Sequence, residues 1–171
     1  PVPGSGSAAT DGVLMAINWD NNNRAVRVTS NGSNYDITAY EAQNIALGTP
    51  PVNFNIGDVA TDSVEVGYVY LPYSTPGIIA GQINADGTVV SSAGTFTIAT
   101  GTDAGLAFPI FELTIPGVDA RTDGVLLLNA TSGPVAMAWE AGENGEFEIA
   151  GLDLLTQTPG LAAFAFAYIP Y

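Results

Sequence analysis

Apolar and polar residues alternate with a period of two along most of this chain, the spacing of strands that bury one face. Such runs lie near 12–19 (GVLMAINW), 24–30, 34–40, 64–72 (VEVGYVYLP), 77–83, 88–91, 95–100 and 110–115 (IFELTI). Four more lie near 124–129 (GVLLLN), 135–141, 146–152 and 163–170 (AFAFAYIP). Helical periodicity is scarce. Between the runs stand Asn31-Gly32, Asp86-Gly87, Pro116-Gly117, Gly133-Pro134 and Asn144-Gly145. Gly and Asn reach positive φ and Pro presets φ, so these pairs predict turns. The two Asn-Gly pairs are hairpin signals. Segment 41–62 is less regular. Glu41–Leu47 has room for a helical turn or two before Gly48, and Pro50-Pro51 excludes a central strand. The segment reads as a long surface loop and an interaction element, with Pro50, Pro51 and Phe54 as its contact candidates. Short strands with turns between them and few helices predict an all-β fold, an antiparallel β-sandwich or barrel.

The pattern also repeats. Thr10–Leu14 (TDGVL) recurs as Thr122–Leu126, an offset of 112. Tyr35-Asp36-Ile37 matches Phe147-Glu148-Ile149 at that same offset, and Glu41 matches Asp153. Tyr70–Tyr73 (YLPY) matches Tyr168–Tyr171 (YIPY) at 98, so the first copy carries the longer loop, in the 41–62 region. A four-strand block A therefore occurs at 1–73 and again at 113–171, with a different block B at 74–112. The expected units are a partial repeat at 1–73 and a complete repeat, B then A, at 74–171, either separate or joined in one continuous fold. The first A then lacks a B on its N-terminal side. Open strand edges pair with other chains. One B serving both A blocks, a strand from a neighbouring subunit, or a longer array of repeats would each satisfy that edge.

The stretch "GTFTI…FELTIPG…TDGVLLLN", followed by "AFAFAYIPY", resembles a repeat of large bacterial extracellular surface proteins. The resemblance covers most of 77–171 and part of 10–73. The chain also has the general look of the small acidic all-β decoration and fibre proteins of phage particles. These resemblances imply an extracellular or virion β module with a structural or adhesive role, and they carry over no site residues.

Charge narrows the partners. Three basic residues (Arg24, Arg27, Arg121) stand against 17 acids, a net charge of −14, and Lys is absent. Such a surface repels nucleic-acid phosphates and anionic membranes, so neither nucleic acid nor membrane insertion is expected. No apolar run reaches the ~18 residues of a membrane helix, and no signal-peptide pattern is visible. Apolar residues make up 47% of the chain, enough for a buried core.

His, Cys and Lys are all absent. Triads built on Ser-His or Cys-His, thiolate or imidazole metal sites and Schiff-base lysines are therefore excluded. A pair of carboxylates working as in glycosidases needs only two acids at a suitable distance, and the sequence selects no pair. "NWDNNNR" (18–24) gathers oxygen ligands around Asp20, a weak Ca²⁺ candidate without EF-hand spacing. Glu146 and Glu148 flank Phe147 and read as a solvated strand face. Asp11 and Asp123 recur, as ordinary turn chemistry before a strand. Tyr68 and Tyr70, and Phe164, Phe166 and Tyr168, share faces at period two and read as core. Trp19 and Trp139, at strand ends, are the candidates for exposed rings.

Together these features predict a non-enzymatic structural β protein without cofactors. Its place would be an externally exposed assembly, as a phage capsid decoration or fibre protein or a cell-surface fibre subunit. It would act by self-association or by contact with a host particle. The alternative is a carbohydrate- or receptor-binding adhesin module, with contacts from 41–62, Trp19 and Trp139.

Overall fold

The computed structural model describes residues 10–18, 24–32, 34–41, 65–103 and 107–171. These residues form strands and turns with no helix. The first copy of block A contributes β1 (Gly12–Asn18), β2 (Arg24–Asn31), β3 (Asn34–Glu41) and β4 (Val66–Pro72). The stretch between the copies forms two hairpins. One pairs β5 (Ile79–Ile83) with β6 (Val89–Ala93), the other β7 (Thr97–Thr102) with β8 (Pro109–Thr114). The second copy contributes β9 (Gly124–Ala130), β10 (Val135–Ala141), β11 (Phe147–Asp153), β12 (Thr158–Gly160) and β13 (Phe164–Pro170). Of these, only β12 is absent from the expected strands. It has three residues, includes Pro159 and pairs at the end of β11, so it carries no alternation to read. Gly32 and Gly145 of the Asn-Gly hairpins sit at φ 61° and 86°, where a side chain would be strained.

The strands build three packed sheets. One is five-stranded, ordered β10-β11-β8-β7 with β12 on β11. The second is six-stranded, ordered β3-β2-β9-β13-β5-β6, and the third is the pair β1-β4. The alternation along β13 explains the layering. Phe164, Phe166 and Tyr168 point into the main core with Phe111, Leu113, Phe147 and Ile149 of the five-stranded sheet. Ala165 and Ala167 point the other way, onto Val13 and Met15 of β1. Small residues on that face let the third sheet approach closely. The opposite face of β1, Leu14 and Ala16, packs on Val26, Val28 and Tyr35 of the β2-β3 hairpin. The six-stranded sheet thus grips β1 from both sides. Its two halves meet at a single parallel bridge, Arg27 to Ala130, between β2 and β9.

The two A copies share one register. Gly12 pairs with Pro72, Leu14 with Tyr70 and Ala16 with Tyr68. Their counterparts pair alike: Gly124 with Pro170, Leu126 with Tyr168 and Leu128 with Phe166. The corner before each strand is the same. Thr10 Oγ1 lies 2.8 Å from Asp11 Oδ1, and Thr122 Oγ1 lies 2.8 Å from Asp123 Oδ1. The Tyr73 amide donates to the Asp11 carbonyl at 2.9 Å, the Tyr171 amide to that of Asp123 at 3.1 Å. Tyr35 and Tyr70 have ring centroids 6.0 Å apart, as do their counterparts Phe147 and Tyr168. Gly12 and Gly124 are needed for close approach. A Cβ would lie 2.8 Å from the Tyr70 ring at the first and 2.6 Å from the Tyr168 ring at the second.

Candidate functional site

Five of the residues singled out from the sequence, Trp19, Asp20, Pro50, Pro51 and Phe54, lie outside the described residues. Trp139 is half-buried on β10. Its Nε1–H donates to the Leu126 carbonyl at 2.8 Å, and its ring meets Phe147 edge to face at 5.0 Å. Those contacts hold the indole as a bridge between sheets. Asp123 works as a corner. Its carboxylate accepts the Asp119 amide at 2.8 Å and the Thr122 hydroxyl, which together hold its pKa below the usual carboxylate value. The aromatic set on β13 is core, as its spacing implies, whereas Tyr68 on β4, expected in the core from the same spacing, is exposed because no further strand covers it among the described residues.

The copies differ in what surrounds them. In the second copy β13 is extended by the β5-β6 hairpin and β11 by the β7-β8 hairpin. In the first copy, β4 and β3 occupy the equivalent places. Among the described residues β3 ends the six-stranded sheet and β4 pairs only with β1. The block between the copies therefore pairs with the second A alone. It touches the first through side chains: Gln82 Nε2 donates to the Gly12 carbonyl at 3.4 Å, and Tyr73 Oη lies 3.0 Å from Ser91 Oγ.

Burial follows the pairing. Phe166 is 0% exposed, whereas its first-copy counterpart Tyr68 is 64% exposed. Ile149 is 0% exposed, and its counterpart Ile37 is 38% exposed. Val69, at the position of buried Ala167, is also exposed. Beside Tyr68 and Val69 runs a cavity of about 340 Å³, lined further by Met15, Ile17, Leu127 and Asn129. Asn129 also holds the β1 backbone there. Its Oδ1 accepts the Ala16 amide at 2.8 Å and its Nδ2 donates to the Ala16 carbonyl at 2.9 Å, so a side chain replaces a missing strand partner for β1. Among the described residues the first copy is thus a half-sandwich, with an apolar cavity beside exposed Tyr68 and Val69.

A second feature lies on the outer face of the five-stranded sheet. Glu140 is opposite Glu148, and Glu148 is opposite Glu112, a row of three glutamates across neighbouring strands. Like charges directly opposite destabilise a sheet. Burial, and then repulsion from Glu146, Glu140, Asp103 and Glu112, raises the Glu148 pKa. Carboxylate oxygens of Asp103, Glu140 and Glu148 all lie within 4.8 Å of one another, a spacing that suits proton sharing or a hard divalent cation. Phe108 and Ile110 line the same hollow, of about 210 Å³. The sequence marks Glu148 as a solvated face. Its neighbours Glu140, Glu112 and Asp103 are set by strand pairing between distant segments, which periodicity within one strand does not encode.

Comparison with protein-family models, with curated proteins and with solved structures finds no match to this chain.

Proposed function

We propose that this chain is a non-enzymatic structural β module of an externally exposed assembly, in the manner of a phage decoration or fibre protein or a cell-surface fibre subunit. It would act through contacts between subunits, made by its strand edges and apolar faces. The observation that carries this reading is the unequal surroundings of two A copies built in one register. Positions buried in the second copy, Phe166 and Ile149, are open in the first as Tyr68 and Ile37. Edges that have no partner strand among the described residues, beside exposed apolar side chains, are a template for association. The −14 net charge supports the reading, because it keeps the remaining surface soluble and limits association to faces where apolar contact outweighs repulsion. Electron microscopy of the purified chain, alone and with the particle or surface it decorates, tests this. Ordered oligomers, filaments or a decorated surface are expected. A monomeric protein that binds no such particle would end the proposal.

A further inference from the structure

The proposed function leaves open which edge is used and by what. The second copy of block A carries the answer in its own pairing. There, β8 lies against β11 with Leu113 opposite Phe147, Glu112 opposite Glu148 and Phe111 opposite Ile149. The β3 residues Tyr35, Asp36 and Ile37 are the counterparts of those three β11 residues, on a strand whose far side has no partner strand among the described residues. In the second copy Phe111 of the added strand packs on Phe164, with ring centroids 5.3 Å apart. The first-copy counterpart of Phe164 is Val66, half-buried on β4.

We infer that the outer edge of β3 is a docking site for one extended strand of the β8 type, with the pattern Phe-x-Leu. That strand would come from another chain and add antiparallel to Tyr35–Ile37. Main-chain hydrogen bonds would supply affinity, and the alternate Phe and Leu side chains would supply specificity by closing over Ile37 and Val66. The middle position follows from charge. In the second copy a glutamate faces a glutamate there; in the first it would face Asp36, whose Oδ2 already accepts from Asn31 Nδ2 at 3.0 Å. A cationic residue at that position pairs with Asp36, so the docking strand is basic or neutral where β8 has Glu112. Opposite charges across a strand pair change affinity by about two- to fivefold.

This inference rests on the proposed function but is tested separately from it. Two labelled peptides are titrated into the full chain: residues 107–117 as they stand, and the same peptide with Glu112→Lys. Amide hydrogen exchange of the chain is followed in parallel. Both peptides are expected to bind, the Lys peptide about two- to fivefold tighter, with new protection at 35–41. Ile37→Lys should abolish binding of both, and its unchanged exchange in β9–β13 would show that the fold persists. Failure of both peptides to bind, protection elsewhere, or protection without peptide of the β3 amides that face away from β2 would overturn the inference. Assembly without peptide binding would leave the proposed function standing and remove this edge. Peptide binding by a chain that never assembles would do the reverse.

Discussion

At the residue scale, a few side chains substitute for strand partners, and their removal has predictable cost. Asn129→Ala leaves the Ala16 amide and carbonyl unpaired in a buried site. The expected loss is about 1–3 kcal/mol, read as a lower melting temperature with faster hydrogen exchange in β1 and little change in β11. Gly124→Ala drives a Cβ to 2.6 Å from the Tyr168 ring. Overpacking of that kind costs roughly 1–3 kcal/mol, whereas an alanine at exposed, open Gly117 meets nothing within 4 Å and costs backbone strain alone. Tyrosines give a pH signature. Burial is the first cause that raises the pKa values of Tyr35, Tyr70, Tyr73 and Tyr168. The folded state then holds those protons more tightly than the unfolded chain, so stability is full below the ordinary tyrosine value of about 10 and falls as pH rises above it. Alkaline melts that follow tyrosinate absorbance should show unfolding and ionisation together. Independent ionisation of all tyrosines in a folded chain would contradict the packing described.

At the element scale, the acidic row on β10, β11 and β8 makes the opposite kind of pH statement from the corners. Glu148 titrates high, so the folded state binds its proton more tightly than the unfolded chain does. Its penalty is present at neutral pH and is relieved as pH falls through the raised value. Glu148→Gln should therefore stabilise the protein at pH ~7 by about 0.5 kcal/mol, roughly 1–2 °C in melting temperature for a chain of this size. The gain should shrink in high salt and vanish once acid protonates the wild-type row. Asp86 and Asp123 titrate low, held by the Thr88 hydroxyl and amide and by the Asp119 amide respectively. Their contribution is present above the ordinary aspartate value and is lost as pH falls through the depressed one. Calorimetry of both variants, Glu148→Gln and Asp123→Asn, across the acid range separates the two signs.

At the scale of the whole molecule, the strands were legible from alternation and the hairpins from Asn-Gly and Asp-Gly pairs, because both are local. The internal repeat was legible because Thr-Asp-Gly-Val-Leu and Tyr-x-Pro-Tyr mark both ends of a block whose corners must fit. Sheet order was not. The joining of β2 to β9 by one bridge, and the sandwiching of β1 between two halves of one sheet, depend on which distant strands meet. The acidic row was hidden for the same reason. Trp139 lies inside β10, and the alternation alone does not show that its indole donates to the Leu126 carbonyl. Asp-Gly at the strand entries, by contrast, is legible as a turn, since the side-chain hydrogen bonds shown for Asp123 are local, to Asp119 and Thr122. What remains of the architecture is an asymmetry. One A block has both its edges extended by hairpins, and the other shows β3 and β4 at its margins.

The proposed association follows from this asymmetry. Sedimentation velocity across a concentration series, comparing the wild-type chain with Ile37→Lys, tests it most directly. The wild type is expected to sediment as concentration-dependent oligomers at micromolar levels. The variant, with a charge placed on β3 beside Tyr35, should shift toward monomer while keeping its β-sheet circular dichroism. A wild-type chain that remains monomeric throughout, or a variant that assembles equally well, would contradict it.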